Sequence, residues 1–200
     1  MTLSLEPFKR AIVRIMDDGG QLHGMGILVS SERILTCAHV VGDALGVPSD
    51  ITNAPPGIVK INLPFLDGAP PLVCARVLPD SGWYPSKKGN GLDLALLEPV
   101  LPLTADGYFH ISSAFSLFGL RFTSWAAQEG HEHDLVPIRG RLEQEIANGR
   151  YVVNVRESNY RIRAGCSGAP VIDATNGLIL GLIAQEELNE AAAEIGRAHV

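Results

Sequence analysis

The sequence is short of several features, and each shortage removes a class of protein. Its only cysteines are Cys37, Cys74 and Cys166. An odd number cannot supply the even disulfide framework that staples small secreted domains, which points to free thiols in a reducing compartment. No apolar run approaches the roughly 18 residues of a spanning helix, so no membrane partner is expected. No basic run occurs and the net charge is -6, so nucleic acid has no electrostatic footing. The first residues do not read as a signal peptide, because Lys9, Arg10 and Arg14 interrupt the apolar region it would need. These absences together point to the cytoplasm. No internal repeat is visible.

What remains is an ordinary globular composition. The 200 residues are 46% hydrophobic, enough for one large or two small cores. Short apolar runs alternate with Gly/Pro turns, which is an all-β pattern. The alternation predicts strands over 11–16, 24–30, 34–36, 58–62, 72–78 and 94–98 in the first half. It predicts strands over 114–119, 136–143, 151–155, 169–173 and 178–184 in the second. Two barrels over 8–100 and 108–186 fit this count, with a linker near 99–107. Closing each barrel removes its unpaired edges. The Pro/Gly/Ser-rich stretches 44–56 and 79–91 read as surface loops.

Three stretches carry chemistry: Thr36-Cys37-Ala38-His39-Val40, Leu92-Asp93-Leu94-Ala95-Leu96-Leu97 and Gly165-Cys166-Ser167-Gly168-Ala169-Pro170-Val171. They offer a His, an Asp and a Ser in that order, at the ends of strand-like runs or in a Gly-rich turn. A serine hydroxyl is a poor nucleophile until a base takes its proton, and the base needs an acid to hold its tautomer. His39 suits the base, since an imidazole titrates near neutral pH. Asp93 suits the acid: a carboxylate at an apolar edge needs a partner, and His39 would be one. Ser167 needs a sharp turn, and the flanking glycines Gly165 and Gly168 permit strained backbone angles.

At these points the chain resembles the trypsin/chymotrypsin-like serine peptidases. Thr36-Cys37-Ala38-His39 resembles the family's T-A-A-H, Asp93-Leu94-Ala95-Leu96-Leu97 its D-[IL]-A-L-[LV], and Gly165 to Pro170 its G-x-S-G-x-P. Gly181-Leu182-Ile183-Ala184 resembles the strand that follows the nucleophile. The resemblance implies two six-stranded antiparallel barrels and a catalytic triad of His39, Asp93 and Ser167. It implies an oxyanion hole made by the backbone N–H groups of Gly165 and Ser167, a protein or peptide substrate, and no metal or organic cofactor. The stretches around His39 and Ser167 look most like cytoplasmic bacterial trypsin-like domains, which often belong to longer multidomain chains with defence or signalling roles. Further domains of the same longer chain are therefore expected as partners. The resemblance places the substrate pocket around residues 159–164, with Arg161, Ala164, Ala184 and Glu186 as candidate lining. Arg161 and Arg163 favour an acidic side chain if they face the pocket; pointing to solvent, they favour none. Glu186 can neutralise one arginine or narrow the pocket.

The departures from the family are also informative. Cys166 stands where digestive relatives carry an Asp that pairs with a new N-terminus after cleavage, so activation by that route is not expected. A nucleophilic Cys166 would lose the Gly that should follow the nucleophile, and a small packed residue is the better reading. His131-Glu132-His133-Asp134 resembles a metal cluster but lacks further ligands at a zinc-like spacing, and reads as a polar loop. Trp83 and Tyr84 can touch a peptide or cover the barrel. Residues 194–200 match the translation of a common short-read sequencing adapter, so the natural chain is expected to continue differently. The final strand and closing helix of the fold would then be missing, leaving the second barrel incomplete.

Overall fold

The structure is a computed structural model that describes residues 6–66, 68, 72–86, 92–103, 111, 117–128, 131–145, 150–155, 159–184 and 195–199. A short helical turn α1 (Glu6–Lys9) precedes β1 (Ile12–Met16), β2 (Leu22–Ser30) and β3 (Arg33–Thr36). Helix α2 (Ala38–Leu45) follows, then β4 (Val59–Asn62), β5 (Val73–Val77), β6 (Trp83–Tyr84) and β7 (Leu94–Pro99). These strands pair antiparallel in the order β3-β2-β1-β4-β5-β7-β6, and β3 also pairs with β7, which brings the two ends of the sheet together. Side chains alternate as the pleat requires. On β5, Val73, Ala75 and Val77 are buried while Cys74 and Arg76 face outward; on β7, Ala95 and Leu97 turn inward. The expected strands of this half are all present, within a residue or two at each end.

The second half holds β8 (Arg121–Gln128), β9 (His131–Glu145), β10 (Arg150–Asn154), β11 (Pro170–Asp173), β12 (Ile179–Ala184) and β13 (Ile195–His199). They close in the order β10-β13-β12-β11-β8-β9. The protein is thus all-β with a chymotrypsin-like layout.

Three details differ from the sequence reading, and a fourth decides between its alternatives. The second ring is not missing its last strand: β13 lies between β10 and β12, with Tyr151 opposite Ala198 and Ile183 opposite Ala198 on the other side. Backbone pairing alone can close a ring, whatever side chains the segment carries. The strand expected over 114–119 is absent from its described part: Leu117 to Leu120 form a turn, with Leu120 N–H donating to Leu117 O at 3.1 Å, and the strand begins at Arg121. His131-Glu132-His133-Asp134 is the start of β9 and not a loop. Trp83 covers the first core and donates its indole N–H to Ile51 O at 2.8 Å, while Tyr84 is exposed.

Two cores form, and β12 lies between them. Ile179, Leu182 and Ala184 pack with the first core, Leu180 and Ile183 with the second. All six residues of β12 are therefore buried, which its uninterrupted Ile-Leu-Gly-Leu-Ile-Ala run permits. From the other side, Ile12 and Met25 of β1 and β2 pack into the second core. The Ser167 elbow is bonded to strands on both sides of the seam between these cores.

Candidate active site

His39 is set by the start of α2. The N-cap residue Cys37 makes no side-chain cap bond, so the first amides of the helix need acceptors from elsewhere. Asp93 supplies them from the strand next door. Its backbone carbonyl accepts Ala38 N–H at 3.1 Å, and its carboxylate Oδ1 accepts His39 N–H at 3.0 Å. Its second oxygen, Oδ2, lies 2.7 Å from His39 Nδ1. One aspartate thus caps the helix and orients the ring. To reach all three groups, Asp93 adopts φ 52°, the only positive φ at a non-glycine residue among those described. A short Asp tolerates that left-handed conformation better than most residues, and such outliers collect at functional sites.

The pair is mostly shielded: the side chain of Asp93 is 8% exposed and that of His39 24%. Burial is the largest single influence on His39 and lowers its pKa. The hydrogen bond and charge of Asp93, with the charge of Asp43, together outweigh it, and the imidazole titrates above its usual value near 6.5.

Ser167 sits between two tight turns. Cys166 N–H donates to Arg163 O at 3.0 Å, and Ala169 N–H to Cys166 O at 3.0 Å. The third residue of each turn, Gly165 at φ 90° and Gly168 at φ 81°, has the positive φ of a type II turn, which only glycine adopts freely. Backbone bonds then fasten this elbow to both halves. Met25 N–H of β2 donates to Ser167 O at 2.7 Å, and Gly168 N–H donates to Ile183 O of β12 at 2.7 Å. Thr36, three residues before His39, donates its hydroxyl to Met25 O at 2.7 Å. The route from nucleophile elbow to histidine arm is therefore Ser167, Met25, Thr36. Two glycines make it possible. A Cβ on Gly168 would collide with Met25 O, and one on Gly24 would come within 2.7 Å of Ser167 O.

The other candidate residues are placed less tightly. Arg161, Arg163 and Ala164 are exposed on the segment leading into the elbow, while Ile162 between the arginines packs toward the second core. Ala184 is buried at the end of β12. Glu186 lies outside the described residues. Cys166 is fully buried and donates its thiol to Ala127 O at 3.8 Å, as a packed residue would.

Cys37 is a neighbour that the sequence reading passed over. Its sulfur, a His39 ring nitrogen and an Asp93 oxygen lie within 4.8 Å of one another. Nitrogen, sulfur and carboxylate donors suit zinc, but zinc binds the thiolate. Burial first, and the Asp93 charge second, push the Cys37 thiol well above its usual range, against smaller opposing effects of the Gly168 N–H and Arg150. Burial thus favours the protonated thiol beside the His39–Asp93 pair.

The trypsin-like peptidase domain model matches residues 24–182, which span the His39 arm, Asp93 and the Ser167 elbow. The chain belongs to the trypsin-like peptidase domain family. As a trypsin-like domain it is a serine-type endopeptidase, a hydrolase whose substrates are proteins. Among curated proteins, none matches the sequence significantly. Among solved structures, it is similar to the inactive form of Rv3671c from M. tuberculosis, with 18% identity and a TM-score of 0.68, covering 98% of this chain and 83% of that one. It is also similar to a serine endoprotease from Yersinia pestis, with 16% identity and a TM-score of 0.66 over 98% of this chain and 60% of that one. A human pathogenic astrovirus serine protease is 20% identical, with a TM-score of 0.60 over 96% of this chain and 90% of that one. At such identities these three speak for the fold of the trypsin-like domain alone.

Proposed function

We propose that this trypsin-like domain cleaves peptide bonds through an acyl-enzyme on Ser167, with His39 as general base and then general acid and Asp93 as its orienting partner. The observation that carries the reading is the His39–Asp93 pair at 2.7 Å, joined through Thr36 and Met25 to a glycine-flanked serine. In the first step His39 takes the Ser167 proton as Oγ attacks the scissile carbonyl. His39 then returns it to the leaving amine, and water repeats the sequence on the ester. Asp93 holds the Nδ1 proton toward itself, so Nε2 is left free to accept. The amides of Gly165 and Ser167 are the proposed oxyanion hole. The type II turn over 163–166 supports it, because it fixes the peptide between Ala164 and Gly165 before substrate arrives.

Arg161, Ala164, Ala184 and Glu186 are the proposed substrate contacts. Arg161 and Arg163 are exposed, which favours the reading that they point to solvent and set no acidic preference. We further propose that the domain works in the cytoplasm within a longer bacterial chain of defence or signalling type, and that residues 194–200 are adapter-derived. No helix among the described residues is long and apolar enough to cross a membrane. The test is digestion of a peptide library by the wild type, Ser167→Ala and His39→Ala proteins. Cleavage by the wild type alone is expected. Equal cleavage by Ser167→Ala would overturn the mechanism.

A further inference from the structure

Beyond the triad, one buried side chain touches both halves of the site. Cys37 is two residues before His39 and has no solvent exposure. Its thiol donates to Ile183 O at 3.5 Å, and Ile183 O also accepts Gly168 N–H at 2.7 Å. One carbonyl of β12 thus accepts both from the amide directly after the nucleophile and from the thiol of the histidine arm. The same sulfur lies within 4.8 Å of an Asp93 oxygen and a His39 nitrogen.

We propose that Cys37 is a positioning residue, whose thiol sets the spacing between the His39–Asp93 pair and the Ser167 elbow by hydrogen bonding to Ile183 O, the same carbonyl that holds the Gly168 amide. Its chemistry suits the place. A thiol is a weak donor with a large soft sulfur, so it fills the gap beneath Asp93 without competing for the carboxylate. A second charge there would do so, and the raised thiol pKa keeps the sulfur neutral. On the β2 side Met25 N–H to Ser167 O crosses the same seam, and Thr36 Oγ1 to Met25 O ties that strand to the histidine arm; the two bonds work together. Cys37 is their counterpart on the β12 side. Small displacements at such a seam matter, because proton transfer from Ser167 to His39 depends on separation and angle.

The inference rests on the serine-peptidase reading, and its test separates the two. Cys37→Ala removes the donor and the sulfur, whereas Cys37→Ser keeps a donor. Ester hydrolysis and fluorophosphonate labelling are measured for each, with rates counted per folded molecule. For Cys37→Ala, kcat and the labelling rate are expected to fall roughly 10- to 100-fold, with KM within about twofold. Cys37→Ser is expected to recover most of the loss. A wild-type labelling rate retained in folded Cys37→Ala, or a Ser variant no better than Ala, overturns the role of Cys37 and leaves the mechanism standing. A wild type that is never labelled at Ser167 overturns both. Should neither variant fold, infrared spectroscopy of a Cys166→Ala protein after alkylation of exposed Cys74 reads the Cys37 thiol alone. A hydrogen-bonded S–H stretch that persists to alkaline pH is expected; a free-thiol frequency or early loss of the band overturns the proposal.

Discussion

At the residue scale, Asp93 carries most of the argument. It caps α2 with its backbone and one oxygen and steers His39 with the other. Asp93→Asn keeps an acceptor for the helix but presents a donor to Nδ1, so it isolates the steering role. A kcat lower by about 10⁴-fold is expected, as the wrong tautomer dominates. The acid limb of the pH–rate profile, which lies above 6.5 in the wild type, is expected to move to lower pH in this variant, because the Asp93 contributions to the raised pKa are gone. A steady-state pH series on both proteins checks both expectations. The raised pKa also has a stability consequence. A group bound more tightly to its proton when folded stabilises fully below its unfolded pKa, here about 6.5. That contribution fades as pH rises through the folded value. Thermal melts of the wild type and His39→Gln are therefore expected to differ more in the wild type's favour at acid pH than in mildly alkaline buffer.

At the element scale, the turns decide whether the residues meet. Gly168 has φ 81° and no room for a Cβ against Met25 O. Gly168→Ala is expected to push the elbow off β2 and abolish labelling of Ser167. Gly24→Ala has an ordinary φ and a 2.7 Å clash with Ser167 O. It is expected to slow labelling more than it lowers the melting temperature, and parallel labelling and calorimetry check the pair. This scale also shows what the sequence made legible. The first-half strands were readable because Val73, Ala75 and Val77 alternate with outward residues. The Ser167 turn was readable from its glycines. Helix α2 was not, being eight residues with Gly42 inside, and ended by Gly46 at φ 66°. Strand β8 was hidden because Phe122 through Ala127 are all buried, which leaves no alternation to read. Cys37 was visible only as a free thiol within the Thr36-Cys37-Ala38-His39 motif. Its bond to Ile183 joins positions far apart in sequence, and no local pattern records it.

At the scale of the whole molecule, the site exists because two cores share a seam. β12 lends its side chains to both and its Ile183 carbonyl to the elbow. The second ring is closed by β13 between β10 and β12. Deleting residues 195–200 exposes two strand edges, and the melting temperature is expected to fall by about 2–4 °C for each kcal/mol lost. The claim on which everything above depends is that Ser167, His39 and Asp93 work as one unit. The most direct measurement is the intact mass of the purified protein after a fluorophosphonate probe, with the modified residue located by peptide mass spectrometry. The account predicts one adduct, on Ser167, absent from His39→Ala. An adduct formed equally fast without His39, or no adduct on a protein that melts cooperatively, would contradict it.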